Sequence, residues 1–287
     1  MTSPATTPTA TTPTATTPTA TTRSPIEATT AGSADEVVVS RDGPVATVWI
    51  DRARAFNALS ESVLDGLTTA FERLGTDPTV RAVVLGGRGP AFCAGHDLRE
   101  MRARSDADYY RALFARCTRM MTAILRLPQP VIARVHGLAT AAGCQLVATC
   151  DLAVASDEAR FAVSGVNLGL FCSTPSVALS RNLPRKKAFE MLVTGDFIDA
   201  GTALAWGLVN RVVPSDALDP TVAALAAQIA AKPEIAIRTG KQLFYRQLEM
   251  GVDAAYQLAG QAMACNLMDE AAQEGVQAFL DKRPRKA

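Results

Sequence analysis

Histidine is scarce in this chain: only His96 and His136 occur, without HExxH spacing, and the six cysteines form no CxxC pair. A zinc site needs clustered imidazole or thiolate ligands, so no metal is expected. The cysteines, at 93, 117, 144, 150, 172 and 265, also lack the regular framework that staples small secreted domains, and they read as reduced thiols in a cytosol-like compartment. Surplus charge is missing too. A net charge of +1 provides no field to hold a nucleic acid or an anionic membrane, and no run reaches the ~18 apolar residues of a membrane span. Neither partner is expected. Basic function is confined to one local cluster, Lys282, Arg283, Arg285 and Lys286.

Residues 1–32 repeat a TATTP unit and hold almost nothing that could be buried, so the entropy of ordering them goes uncompensated. They read as a disordered, partly polyproline-like tail. The segment has no apolar h-region and no arginine before Arg23, which fits neither a secretory signal nor an Arg-rich transit peptide, and the expected location is cytoplasmic.

The remainder of the chain is rich in core formers: 48% of all residues are hydrophobic and 20% charged, enough for a large core. VVVS and VATVWID flank a turn-like RDGP and predict a hairpin. Ser60 opens a helix in which Val63, Leu64, Leu67, Phe71 and Leu74 keep helical spacing and which Gly75 closes. A buried strand RAVVLGG, a helix over about 106–127, a strand VIARV, a loop HGLATAAG, a short helix CQLVATC and a strand DLAVAS come next. Such alternation predicts an α/β core over 33–215. Beyond Val213 only helical patterns remain, near 217–231, 234–249, 252–266 and 269–280, giving a helical region over 216–287. Leu225, Ile229, Ile235, Ile237, Leu243, Phe244 and Leu248 offer more apolar surface there than one peripheral layer hides, which predicts an interface.

Two segments share one design, a strand running through small residues into a helix N-terminus: Ala91-Phe-Cys-Ala-Gly-His-Asp-Leu98 and Gly137-Leu-Ala-Thr-Ala-Ala-Gly-Cys-Gln145. Small residues admit a ligand to the backbone, and the first N–H groups of a helix have no internal partner. Two such groups converging on one oxygen make an oxyanion hole. Either loop alone says no more than close backbone packing. Asp97, with Glu100 three residues on, has the spacing of a capping box and reads as an N-cap rather than an acid.

Taken in order, RARAFNAL, PAFCAGHDLREM, VHGLATAAGCQLVATCDLAVAS, FAVSGVNLG and VTGDFIDAGTALAWGLVNRVVP resemble the crotonase (enoyl-CoA hydratase/isomerase) superfamily over about residues 36–287. The resemblance implies a spiral of repeated β-β-α units with a C-terminal helical trimerisation region, and a homotrimer or dimer of trimers. It implies an acyl-CoA ligand of acyl-CoA or fatty-acid metabolism, in which coenzyme A belongs to the substrate and no separate cofactor is needed. The family's oxyanion donors fall on the backbone N–H groups of His96 and Ala142, the latter replacing a customary glycine. Arg54, Ala55 and Phe56 match the segment along the nucleotide and pantetheine, Ala94, Asp97 and Leu98 the adenine-side loop, and Phe279 and Lys282 a C-terminal segment that reaches coenzyme A.

The family's two catalytic glutamates fall on Gln145 and Gly165. Glutamine orients a water but takes no proton, and glycine offers nothing. Three readings stay open: a hydratase-like lyase subgroup with weak or no hydration, a malonyl- or methylmalonyl-CoA decarboxylase needing only a stabilised enolate, and a non-catalytic acyl-CoA-binding trimer. Cys144, Cys172 and Ser173 fall near the acyl end but have no recognisable base beside them, so packing is their expected role.

Overall fold

The β-branched run that opens the folded part pairs as a hairpin. In the computed structural model, which describes Met1 and residues 36–284, β1 (Val37–Asp42) and β2 (Val45–Ile50) are antiparallel, Val37 opposite Ile50. The chain divides into residues 1–34 and 35–287, and the expected tail, like Arg285 and Lys286, lies outside the described residues.

α1 (Glu61–Gly75) starts as its sequence directs, with the Ser60 hydroxyl accepting the Val63 N–H at 3.2 Å, and it buries Val63, Leu64, Leu67, Phe71 and Leu74. Gly75 is the last helical residue rather than the cap; Thr76 follows, its N–H turned back on the Arg73 and Leu74 carbonyls. Then come β3 (Ala82–Gly87), β4 (Ala91–Cys93), α2 (Leu98–Ala103), α3 (Ala107–Arg126), β5 (Val131–Val135), β6 (Leu138–Thr140), α4 (Ala142–Thr149), β7 (Leu152–Ser156) and β8 (Arg160–Ala162). The predicted loop HGLATAAG therefore contains a strand, and the helix after it begins two residues before Cys144. The chain continues through α5 (Ser173–Asn182), α6 (Arg185–Thr194), β9 (Ile198–Asp199), α7 (Ala200–Trp206), β10 (Arg211–Val213), α8 (Leu218–Ala230), α9 (Glu234–Gln247), α10 (Val252–Leu267) and α11 (Glu270–Leu280).

Two sheets share the strands. One has the order β1-β2-β3-β5-β7-β10 and is parallel beyond the hairpin; the other has the order β4-β6-β8-β9 and closes antiparallel at β8–β9. Consecutive strands β3–β4, β5–β6 and β7–β8 each place one member in each sheet, and helices carry the chain to the next pair. This is a β-β-α spiral, in agreement with the expected fold.

Side-chain alternation divides the large sheet between two cores. Val83, Leu85, Val131 and Ala133 join the main core with α1 and α3, while Ala82, Val84, Ile132 and Val154 face Leu218, Val222, Leu225 and Ala226 of α8. Leu225 and Ile229, expected at an interface, thus pack on the sheet; the exposed apolar residues of the helical region include Phe244 of α9, Leu248 just after it, and Tyr256, Met263, Met268, Phe279 and Leu280 further on. α9 is held by a buried charge. Lys241 donates to Asp151 (2.6 Å) and to the carbonyls of Ile124 (2.9 Å) and Gln129 (3.0 Å), and Tyr245 donates to the other Asp151 oxygen at 2.8 Å. Among the described residues no helix is long and apolar enough to cross a membrane.

Candidate active site

The site is organised around Asn57, a fully buried residue at φ 55°, in the left-handed region that asparagine tolerates better than most side chains. Its amide donates to the carbonyls of Arg88 (2.8 Å) and Ala91 (2.7 Å), and its oxygen accepts the Arg52 N–H at 2.9 Å. That fastens the turn Arg52–Asn57 to the start of β4. Residues 56–59 then run beside residues 94–97: Ala94 N–H donates to the Phe56 carbonyl (3.0 Å), Leu59 N–H to Gly95 (2.7 Å), and Asp97 N–H to Leu59 (3.2 Å). The sequence shows Asn57 only as one letter of RARAFNAL; its one signal there is an asparagine, which tolerates positive φ, at the end of a short run before the apolar Ala58 and Leu59.

Asp97 is the N-cap of α2, as its spacing suggested, accepting from Arg99 and Glu100 N–H at 2.9 and 3.2 Å. The reciprocal arm of the capping box is not made. The Glu100 carboxylate takes the Glu61 N–H instead (2.9 Å), and the Asp97 N–H is already used on Leu59. Asp97 also pairs with Arg52 at 2.6 Å, and Arg52 reaches Glu36 at 2.8 Å. Burial opposes the Asp97 charge, but the Arg52 guanidinium and the two helix N–H groups outweigh it and hold the carboxyl below its ordinary value.

Gly95 sets the next approach. It sits at φ 93°, and a Cβ there would lie 2.9 Å from Ala141 Cβ and 3.3 Å from the Ala142 nitrogen. The residue before His96 therefore touches the first turn of α4, and the Thr140 hydroxyl ties the two segments by donating to the Ala94 carbonyl at 3.0 Å. Gly143 packs closer still, since a Cβ there would fall 2.0 Å from the Cys93 carbonyl oxygen. Ala141 stands at φ 50°, ψ −118°, a conformation costing on the order of 1–3 kcal/mol for a non-glycine residue, and its ψ aims the following N–H, that of Ala142. Ala142 opens α4, so its N–H has no partner within the helix. The Leu59–His96 bridge uses the Gly95 carbonyl and the Asp97 N–H, which leaves the N–H of His96 outside it. Two uncommitted donors thus stand on backbone in close contact.

Around them the side chains are desolvated. The His96 ring meets Phe114 edge-on at 5.6 Å, and burial drives its pKa down to about 4, partly offset by the Leu59 backbone carbonyl. Gln145 lies buried one turn into α4 with its Oε1 unpartnered. Gly165 sits in a 3-10 turn, Ser164–Leu168, where a Cβ would come within 2.7 Å of both Cys172 Sγ and the Leu170 carbonyl. Burial pushes the Cys172 thiol up, partly offset by the Gly165 backbone, and pushes the Cys144 thiol up to about 12. Neither is a ready thiolate.

Arg54 and Phe56 are exposed and Ala55 is half-buried, in and just after the short 3-10 turn Ala53–Ala55; Ala94 is half-buried and Leu98 exposed beside them. Together they form a rim at the surface, where residues 56–59 run beside residues 94–97. Phe279 and Lys282 are exposed at the end of α11, Lys282 at φ 52°, and neither hydrogen-bonds to that rim within one chain. Arg283 folds inward onto Glu274 (2.7 Å) and Asp281 (3.2 Å), which splits the basic cluster read from the sequence.

The sequence profile of the family described as enoyl-CoA hydratase/isomerase matches residues 40–286. The chain belongs to this family. Among enoyl-CoA hydratase/isomerase relatives, the rat mitochondrial enoyl-CoA hydratase domain-containing protein 3 is 42% identical over 264 residues, 91% of this chain and 88% of that protein. Its human counterpart has a crystal structure that superposes with a TM-score of 0.85 at 41% identity, covering 88% of this chain and all of the other. An enoyl-CoA hydratase structure from Mycobacterium smegmatis is 60% identical with a TM-score of 0.87, over 88% of this chain and 98% of that one.

Proposed function

We propose that this protein binds acyl-CoA thioesters and holds their carbonyl oxygen between the backbone N–H groups of His96 and Ala142. The observation that supports this reading is the close approach of Gly95, the residue before His96, to the first turn of α4, where a Cβ on Gly95 would fall 3.3 Å from the Ala142 nitrogen. Such a hole favours the negative oxygen of an enolate over the neutral carbonyl, and removing one donor from such a site costs about 10²- to 10³-fold in rate. The rim of Arg54, Ala55, Phe56, Ala94, Asp97 and Leu98 takes the coenzyme A portion, and Phe279 and Lys282 reach it from the same or a neighbouring subunit. Asp97 serves there by holding the α2 N-terminus in place, since its carboxylate is already engaged by Arg52.

Hydration is the step this site does poorly. At the two positions where the resemblance puts catalytic glutamates stand Gln145, an amide, and Gly165, where Cys172 and the Leu170 carbonyl already fill the space a side chain would enter. General acid–base assistance is worth about 10²- to 10⁴-fold per group, so hydration of crotonyl-CoA should run orders of magnitude below the ordinary enzymatic range. A rate of ~10 s⁻¹ or above would overturn this.

The hole is tested by removing a donor. Ala142→Pro deletes the N–H at the first helical position; because proline disfavours the φ 50°, ψ −118° conformation of Ala141 before it, the fold of the variant is checked first. With folding verified by circular dichroism, the variant should lose affinity for butyryl-CoA far more than for free coenzyme A. Equal loss of both would count against the hole.

A further inference from the structure

Among the described residues, four other than glycine stand at positive φ: Phe56, Asn57, Ala141 and Lys282. Phe56, at ψ 36°, lies in the left-handed helical well, where a side chain is tolerated. Ala141, at φ 50° and ψ −118°, lies outside it, in a conformation that suits glycine. The chain keeps an alanine there at a standing cost in stability, and strain of this kind persists only where the surroundings enforce it.

Those surroundings give the methyl group a task. Ala141 precedes Ala142 and Gly95 precedes His96, so each residue stands one step before a donor of the hole. They face each other, since a Cβ on Gly95 would lie 2.9 Å from the Ala141 Cβ, with the Thr140 carbonyl oxygen at 3.1 Å and the Ala142 nitrogen at 3.3 Å crowding the same spot. One methyl fits between the two segments, and the chain places it on residue 141. The Ala141 N–H donates to the Ala162 carbonyl at 2.9 Å and its carbonyl accepts the Gln145 N–H at 3.0 Å, which fixes the direction of the methyl. The Thr140 hydroxyl draws the same segments together through its bond to the Ala94 carbonyl. Thr140 is thus a tie, and Ala141 is the stop against which it pulls.

Resting on the thioester reading above, we propose that Ala141 is the positioning residue of the oxyanion hole, its methyl setting the separation between the His96 and Ala142 N–H groups. A hole works only with both donors at about 2.7–3.1 Å from one oxygen, and packed carbon yields little under load. With glycine at 141 the strain disappears and so does the stop, so the tie closes and the donors leave register. Greater freedom of the unfolded chain offsets part of the relieved strain. Stability is then held or raised while ligand selectivity falls, a combination that loss of an ordinary packing methyl does not produce.

The test compares wild type, Ala141→Gly and Ala141→Ser, which keeps a Cβ, by urea unfolding and by calorimetric titration with free coenzyme A and butyryl-CoA. Infrared difference spectra of butyryl-CoA labelled at the thioester carbonyl read the hole directly, because hydrogen bonding lowers that stretch. Wild type and Ala141→Ser should prefer butyryl-CoA to free coenzyme A and show the lowered band. Ala141→Gly should lose about 10-fold of the preference, the worth of one hydrogen bond, and most of the band shift. It should keep its affinity for free coenzyme A and unfold at the same or a higher urea concentration. A glycine variant that keeps the preference and the band, or that unfolds at lower urea, would overturn the positioning role and leave the hole standing, as would a serine variant that fails as glycine does. Wild type that binds butyryl-CoA no better than free coenzyme A, with no band shift, would overturn the hole, and the role of Ala141 with it.

Discussion

At Asp97 one carboxylate caps α2 and pairs with Arg52, and the two duties can be separated. Asparagine is as good an N-cap as aspartate, so Asp97→Asn keeps the cap and deletes only the charge. Hydrogen bonds to charged groups are worth about 1.5–3 kcal/mol, and the variant should be destabilised by about that much at pH 7. Because the folded carboxyl is held below its ordinary value of 3.8, this stability is fully present above that value and is lost as pH falls through the folded one. Urea unfolding of both proteins should therefore show the difference closing below about pH 4. A difference unchanged down to acid pH would assign the loss to something other than the ion pair. The sequence exposed the cap through its spacing, but not Arg52, which lies far back in the chain and reaches Asp97 only through the turn that Asn57 holds. Gly165 was visible only as a gap in a family pattern; that Cys172 and Leu170 crowd it is a fact of packing between residues no periodicity connects.

Elements that carry their own signals were legible. α1 has its cap and its apolar stripe, β1 and β2 their β-branched runs, and the four last helices their spacing. β6 was not, because Leu138–Thr140 is only three residues long and is made into a strand by neighbours on both sides, β4 and β8. The attachment of α9 was also hidden, since a lysine in a helix normally reads as surface. Here Lys241 is 8% exposed, with Asp151 as its counter-ion. Breaking a buried pair by removing one partner costs about 3–5 kcal/mol, because the remaining charge loses its counter-ion, although Asp151 keeps the Tyr245 hydroxyl and the Val131 N–H. Lys241→Met should lower the unfolding free energy by that amount without changing the urea slope, and the double variant with Asp151→Asn should recover part of it. A single variant within about 0.5 kcal/mol of wild type, the usual range for a surface substitution, would show that the pair is not buried in solution.

Across the whole molecule, burial is uneven. α8 covers the outer face of the large sheet, whereas α10 and α11 leave Tyr256, Met263, Met268, Phe279 and Leu280 more than half exposed. The total apolar content of the helical region was readable from the sequence; which residues it left uncovered was not, because Leu225 and Ile229 are claimed by a second core that only the register of the sheet reveals. So many exposed large apolar side chains in one region point to an interface, and trimerisation through this region is what we propose for it. The same helix end carries Phe279 and Lys282, so under the proposed reading assembly and coenzyme A binding draw on one segment. Removing residues 269–287 should therefore weaken both, whereas removing residues 1–32 should change neither. Light scattering on the full-length protein should give three times the 30.3 kDa chain mass, or six times if trimers pair, and the C-terminal truncation should fall toward one. Calorimetry with free coenzyme A should show the matching loss of affinity. A monomeric full-length protein that binds coenzyme A normally would defeat the assembly proposal and leave the oxyanion hole untouched, since every backbone contact that forms it lies within one chain.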